Sequence, residues 1–147
     1  MYYLYNFLAV MLLIFFVLPY FIWRYFREKG FPRRFRQSLE VFENPHDLGV
    51  DALYDCLALR DAVFVVEQDS VYGDVDGLDR VALHLLGRND AGELVAYARL
   101  LPPGSKRATE VAIGRVVITP AARGRGLGKV LLAEAVAAAR SRWPGVP

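Results

Sequence analysis

Hydrophobic and polar positions divide the chain into stretches of different period. Met1 to Trp23 holds no charged side chain, and its centre, Phe7 to Val17, is apolar throughout. About twenty such residues cross a bilayer as a helix, so 1–26 is expected to be a transmembrane anchor. Tyr2, Tyr3 and Tyr5 at one end and Tyr20, Trp23 and Tyr25 at the other stand where interfacial aromatic belts stand. Gly30, Pro32 and the polar run to Asn44-Pro45 then predict a juxtamembrane linker over 27–45. From there the period changes to that of a folded domain, 46–147. Leu53, Cys56, Leu57, Val63 and Phe64 recur at helical spacing, which predicts a helix over Asp51–Glu67 with Asp51 as its N-cap. The acidic stretch QDSVYGDVDGLDR, Gln68 to Arg80, reads as a structured loop. Two strands follow, 81–88 and 93–101, joined by a hairpin loop at Asn89-Asp90-Ala91-Gly92. The β-branched run Val111–Thr119 is a third strand, ended by Pro120. After a glycine-rich turn, an Ala- and Leu-rich segment predicts a helix over Val130–Arg140.

Charge sharpens the picture of the amino-terminal region. Of 18 basic and 16 acidic residues, six basic (Arg24, Arg27, Lys29, Arg33, Arg34, Arg36) and one acidic (Glu28) lie between Arg24 and Arg36. That leaves 12 basic and 15 acidic residues beyond Arg36. The basic block therefore belongs to the flank of the apolar span. By the positive-inside rule it sets a single-pass topology in the inner or cytoplasmic membrane, with the domain facing the cytoplasm. Such a stripe meets anionic head groups; nucleic acid is the poorer second reading, since only a short flank of the chain is basic, and no nucleic-acid partner is expected. The single cysteine, Cys56, offers neither an intrachain disulfide nor a metal site. It falls on an apolar stripe and is read as core. No Glu closes a twelve-residue loop after the glycines of the acidic stretch, so calcium binding of the EF-hand kind is excluded and no metal is expected.

Chemistry concentrates between Glu110 and Arg140. A strand, a turn of Arg123, Gly124, Arg125, Gly126, Leu127 and Gly128, and a helix start form an anion cradle. Glycines admit close approach, N–H groups converge, and the helix N-terminus adds positive potential. A Walker loop is excluded, because Val130 stands where its hydroxyl residue would follow Lys129. The alternating glycines at 124, 126 and 128 also break the dinucleotide fingerprint. The spacing that fits is [RQ]-x-x-G-x-[GA], met by Arg123, Gly126 and Gly128, and it resembles the acetyl-CoA loop of the GNAT N-acetyltransferases. The blocks ALRDAVFVVEQ, YGDVDGLDR, ALHLLG, GELVAYARLLPPG and IGRVVITPAARGRGLGK look like the ElaA-type branch of that family, from about Leu39 onward.

The resemblance implies an α+β fold, a partial GNAT (acyl-CoA N-acyltransferase) domain behind the anchor. It implies acetyl-CoA as cosubstrate and a small amine as acceptor, attacking the thioester directly. Backbone groups of Val116, Val117 and Ile118 would pair with the pantetheine arm. The N–H groups from Arg125 to Lys129 would hold the pyrophosphate, with Arg123 and Gly124 completing the loop. Catalytic side chains vary across GNATs; His84 is the weak candidate for a general base, against a satisfied core histidine. Glu67 and Glu110 are carboxylates near element ends that could relay protons. Arg115 interrupts a buried strand and needs a partner, Asp76 or Asp79. The family pattern continues past the last helix with a further strand, so the domain is expected to be incomplete at its C-terminal end, either as a fragment of a longer protein or as a domain completed by another chain. The alternative is a non-catalytic, membrane-anchored remnant that at most binds acyl-CoA.

Overall fold

The computed structural model describes residues 39–42 and 45–146. The anchor expected over 1–26 and most of the linker lie outside these residues. Among the described residues no helix is long and apolar enough to cross a membrane.

Four strands form one antiparallel sheet in the order β1-β2-β3-β4: β1 Leu39–Phe42, β2 Leu83–Arg88, β3 Leu94–Leu101 and β4 Ala112–Ile118. Three of these match the predicted strands to within two residues. The fourth, β1, sits in the stretch read as linker. Its four residues alternate too briefly to announce a strand, and it exists because β2 offers an edge for it.

Helix α1, Val50–Arg60, begins one residue before the expected start, with Gly49 at the N-cap (φ 75°). Asp51 therefore lies in the first turn, where its charge still meets the positive end of the helix dipole. The helix continues as a π-helical segment, Asp61–Glu67. Helix α2 runs from Leu127 to Arg142, longer at both ends than the apolar periodicity alone predicts.

Alternation along the strands divides the core. Leu86, Tyr97 and Val117 face one side and pack with Cys56 and Val63 of the first helical stretch and with Leu48. Leu83, Leu85, Ala96, Ala98 and Leu100 face the other way and are equally buried. That side belongs to α2, which packs on β3 and β4 and buries Leu127, Leu131, Ala135 and Ala139 at four-residue spacing. Burial pushes the Cys56 thiol up to about 12, which makes it an inert core group.

Candidate functional site

The site is built on β4, whose outer edge carries no other strand among the described residues. Thr119 N–H donates to the Val95 carbonyl at 2.9 Å. By the alternation of an antiparallel ladder, Val117 then directs its backbone groups to β3, while Ile118 directs its own outward. There the Ile118 carbonyl accepts from Arg123 Nε at 3.1 Å. Further back, the register between β3 and β4 shifts between Tyr97 and Arg99, so that Arg115 and Val116 together face Ala98. This is a β-bulge, and its first residue, Arg115, has a left-handed backbone (φ 53°).

After β4, a short 3-10 turn at Pro120–Ala122 leads to the glycine loop. Gly124 and Gly126 have φ of 76° and 80°, conformations that side chains rarely adopt. Gly126 is the N-cap of α2 and offers no side chain to the first turn. Lys129 and Val130 N–H groups turn back to the Gly126 carbonyl at 3.1 and 3.4 Å. The N–H groups of residues 124–128 meet no backbone acceptor among the described residues. A Cβ built on Gly124, Gly126 or Gly128 would touch nothing within 4 Å. The glycines thus leave open space over uncapped donors at a helix N-terminus, which fits a bound anion. Arg125 and Lys129, both exposed, border it with full charges.

Arg123 is engaged differently. Its guanidinium forks onto Glu67 with contacts of 2.6 and 2.7 Å. The Arg123 hydrogen bonds hold the Glu67 carboxyl below the usual carboxylate range. The π-helical segment that ends in Glu67 therefore reaches one end of the β4 edge. It reaches the other through Phe64, whose ring lies 5.9 Å from the Arg115 guanidinium carbon. Glu110 sits outside this arrangement, 3.4 Å from Arg107 on an exposed surface.

Behind the bulge lies a buried ionic network that unites the acidic loop with three arginines. Arg60, at 0% exposure, gives Nε to Asp74 at 2.6 Å and Nη1 to Asp79. Arg99, at 1%, forks onto Asp76 at 2.6 and 2.7 Å and reaches Asp79 at 2.9 Å. Arg115 Nε lies 2.6 Å from Asp74 Oδ1 as an ion pair without hydrogen-bond alignment. Its Nη2 donates to the Asp74 carbonyl at 2.9 Å and approaches Asp76 at 3.4 Å. So Asp76, one of the two expected partners, contributes, but Asp74 is the nearer one and Asp79 serves Arg60 and Arg99 instead. Hydrogen bonds from Arg99 hold the Asp76 carboxyl well below its ordinary range. Burial works against ionisation of Asp79, yet Arg60 and Arg99 keep it low as well.

His84 is part of the same buried layer. Its Nε2 lies 2.9 Å from the Asp79 carbonyl and its Nδ1 2.8 Å from the Tyr97 hydroxyl. A carbonyl only accepts, so Nε2 carries the proton and Nδ1 accepts from the tyrosine. Burial pushes its pKa down. At 0% exposure, with both nitrogens engaged, it joins the loop to the sheet core and does not reach the β4 edge.

The sequence profile of the Acetyltransferase (GNAT) family matches residues 53–146. The chain belongs to the GNAT acetyltransferase family. Within this family, the UPF0039 protein sll0451 of Synechocystis is 42% identical over 101 residues, 69% of this chain and 65% of that protein. Protein ElaA of Escherichia coli K12 is 43% identical over 104 residues, 69% of this chain and 66% of its own. The chain thus spans about two thirds of the length of the curated relatives it matches. Among solved structures, an acyl-CoA N-acyltransferase from Pseudomonas aeruginosa superposes with a TM-score of 0.68 at 46% identity, over 74% of this chain and 75% of that one. The crystal structure of E. coli ElaA gives 0.67 at 39%, over 74% of each chain. The GNAT match runs through the glycine loop, the bulged strand and the acidic loop, which makes the remnant reading the less favoured one.

Sequence reasoning singled out the glycine loop and the run Val116–Ile118, but within that run the backbone groups of Val117 are turned to β3, which leaves Ile118 and not Val117 facing the outer edge. It missed Arg60 and Arg99 as members of the network. Each could have been noticed as a lone charge inside an otherwise apolar helix face or strand, facing a loop with four aspartates.

Proposed function

We propose that this chain is an acetyl-CoA-dependent N-acetyltransferase acting on a small amine, tethered to a membrane by its uncharged amino-terminal stretch. One observation carries the enzymatic reading: among the described residues, the N–H groups at 124–128 are uncapped, under open space, at the end of a strand whose outer edge carries no other strand. Support also comes from the acyl-CoA N-acyltransferase of P. aeruginosa, 46% identical over the matched part.

Acetyl-CoA supplies the activated acyl group as a thioester. The chain's own part begins at the loop, where the donors of residues 125–128 would take the pyrophosphate and Arg125 and Lys129 would balance its charge. The Lys129 N–H is committed to Gly126, so its side chain and not its amide would serve. From that loop the outward-facing groups of Ile118 offer the first strand-like pairing to the pantetheine arm, with Val116 beyond it at the bulge. An arm held along β4 brings its thioester end to Arg115–Val116, between Phe64 and the acidic loop. Catalysis then rests on position and on backbone electrostatics. His84, locked in the core, would support the loop and leave deprotonation of the amine to other groups.

The test follows released CoA thiol from acetyl-CoA in the presence of a panel of primary amines. Amine-dependent release that is lost in Gly126→Asp is expected. Release that ignores the amine, or survives that substitution undiminished, would overturn the proposal.

A further inference from the structure

We propose that Arg115 is a positioning residue, which clamps the β4 bulge to the acidic loop and so fixes the strand edge where the acyl thioester is held. This rests on the acyl-CoA reading above and assigns a new role within it. A left-handed backbone at the first position of such a bulge favours glycine. The chain has a glycine next door, at Gly114, but that residue is not the one with positive φ. Arginine takes the strained conformation instead, and its side chain explains why it is tolerated there. The guanidinium meets the Asp74 carboxylate at 2.6 Å, the Asp74 carbonyl at 2.9 Å and the Asp76 carboxylate at 3.4 Å, with the Phe64 ring 5.9 Å away.

Those contacts are themselves immobilised. Asp74, 7% exposed, also takes Arg60 from α1, and Asp76 also takes Arg99 from β3. The two carboxylates therefore bridge Arg115 to a helix and to the neighbouring strand at once. A surface arginine paired for solubility would need neither the bulge nor a buried partner. Here the backbone that must be held still and the side chain that holds it belong to the same residue, while its neighbour Val116 is 39% exposed at the outer edge of β4. The acidic loop, which carries Val71, Tyr72 and Val75 exposed at 89%, 80% and 68%, thereby becomes mechanically continuous with the bulge.

The experiment compares the full chain with Arg115→Gly and Arg115→Lys. Glycine accepts the observed φ, so Arg115→Gly removes the clamp while leaving the backbone conformation available. Three readouts are taken: amide hydrogen exchange over 112–118 and 69–80 without ligand, CoA affinity by calorimetry, and the kcat and KM of acetyl transfer. The expected result for Arg115→Gly is faster exchange in both segments together, CoA affinity within about twofold of wild type, and kcat lowered about tenfold or more at little-changed KM. Arg115→Lys, which can engage one carboxylate but cannot fork, is expected to fall between them and carries the test if the glycine variant does not fold. Unchanged exchange in the loop, or an unchanged kcat, would overturn the proposal. So would parallel loss of CoA affinity and kcat, which would mark a general structural role. A wild-type chain that does not bind CoA would instead sink the acyl-CoA reading, and the exchange data would still report whether Arg115 couples loop and bulge.

Discussion

Glu67 and Arg123 show how a single ion pair shapes the anion site. A carboxylate close to the cradle opposes an anionic ligand, and here it is neutralised by an arginine that also ties the loop to the Ile118 carbonyl. Both groups are exposed, so the pair adds little to stability. Its effect on ligand binding should be visible. Glu67→Gln removes the opposing charge and is expected to tighten CoA binding a few-fold at low salt, whereas Arg123→Gln should weaken it. Both effects should shrink at high ionic strength, and calorimetry at two salt concentrations checks them. The buried groups give a pH signature of definite sign. Burial lowers the pKa of His84, so the native state binds fewer protons there than the unfolded state. Its contribution to stability is present above the unfolded value of about 6.5 and declines as the pH falls toward the folded value. Asp76 and Asp79 are also depressed, by Arg99 and, against burial, by Arg60 and Arg99. Their contribution is present above about 3.9 and is lost as the pH falls toward the folded values. The melting temperature is therefore expected to be level between about pH 7 and pH 8, below the range in which an unfolded Cys56 thiol would ionise, to drop through the histidine range as the pH falls, and to drop again in acid. A melting temperature that rises between pH 7 and pH 5 would contradict this assignment.

The elements differ in how plainly the sequence announced them. β3 and β4 are runs of apolar and β-branched residues bounded by turn signals, and the hairpin at 89–92 closes through Asn89, whose side chain accepts from Ala91 and Glu93 N–H. Helix α2 was legible from its alanines and leucines, and the glycine loop from its spacing. β1 was not, because four residues at a sheet edge have no period of their own. Nor was the π-helical turn at 61–67: nothing in DAVFVVE distinguishes it from an α-helix, although it sends Phe64 toward Arg115 and Glu67 toward Arg123. The buried network was half legible. Four aspartates in a short loop marked it as structured, but the arginines that pair with them come from α1, β3 and β4, and only Arg115 was read as needing a partner, although Arg60 and Arg99 are equally lone charges on apolar faces. Long-range ion pairs are decided by which faces the fold brings together, here the face shared by His84, Leu86, Tyr97 and Arg99, and that is a property of register.

At the scale of the whole molecule, the described residues make a four-stranded sheet with a helix on either face and a free edge at β4. The amino-terminal stretch adds a proposal of its own, because 23 uncharged residues precede a block of six basic ones. The intact chain is expected to remain with membranes through alkaline carbonate extraction, and its domain to resist protease added outside intact cells. Full release into the soluble fraction would contradict the tether and leave the acyl-CoA site untouched. That site is the centre of the account, and it is tested most directly by calorimetric titration of CoA into the full chain and into Gly126→Asp. The account predicts saturable binding to the wild type at one site per chain. It also predicts an affinity more than about tenfold weaker in the variant, a loss of roughly 1.4 kcal/mol or more, because a carboxylate would occupy the open space over the uncapped donors. Equal affinities in the two chains, or no heat of binding in either, would contradict it.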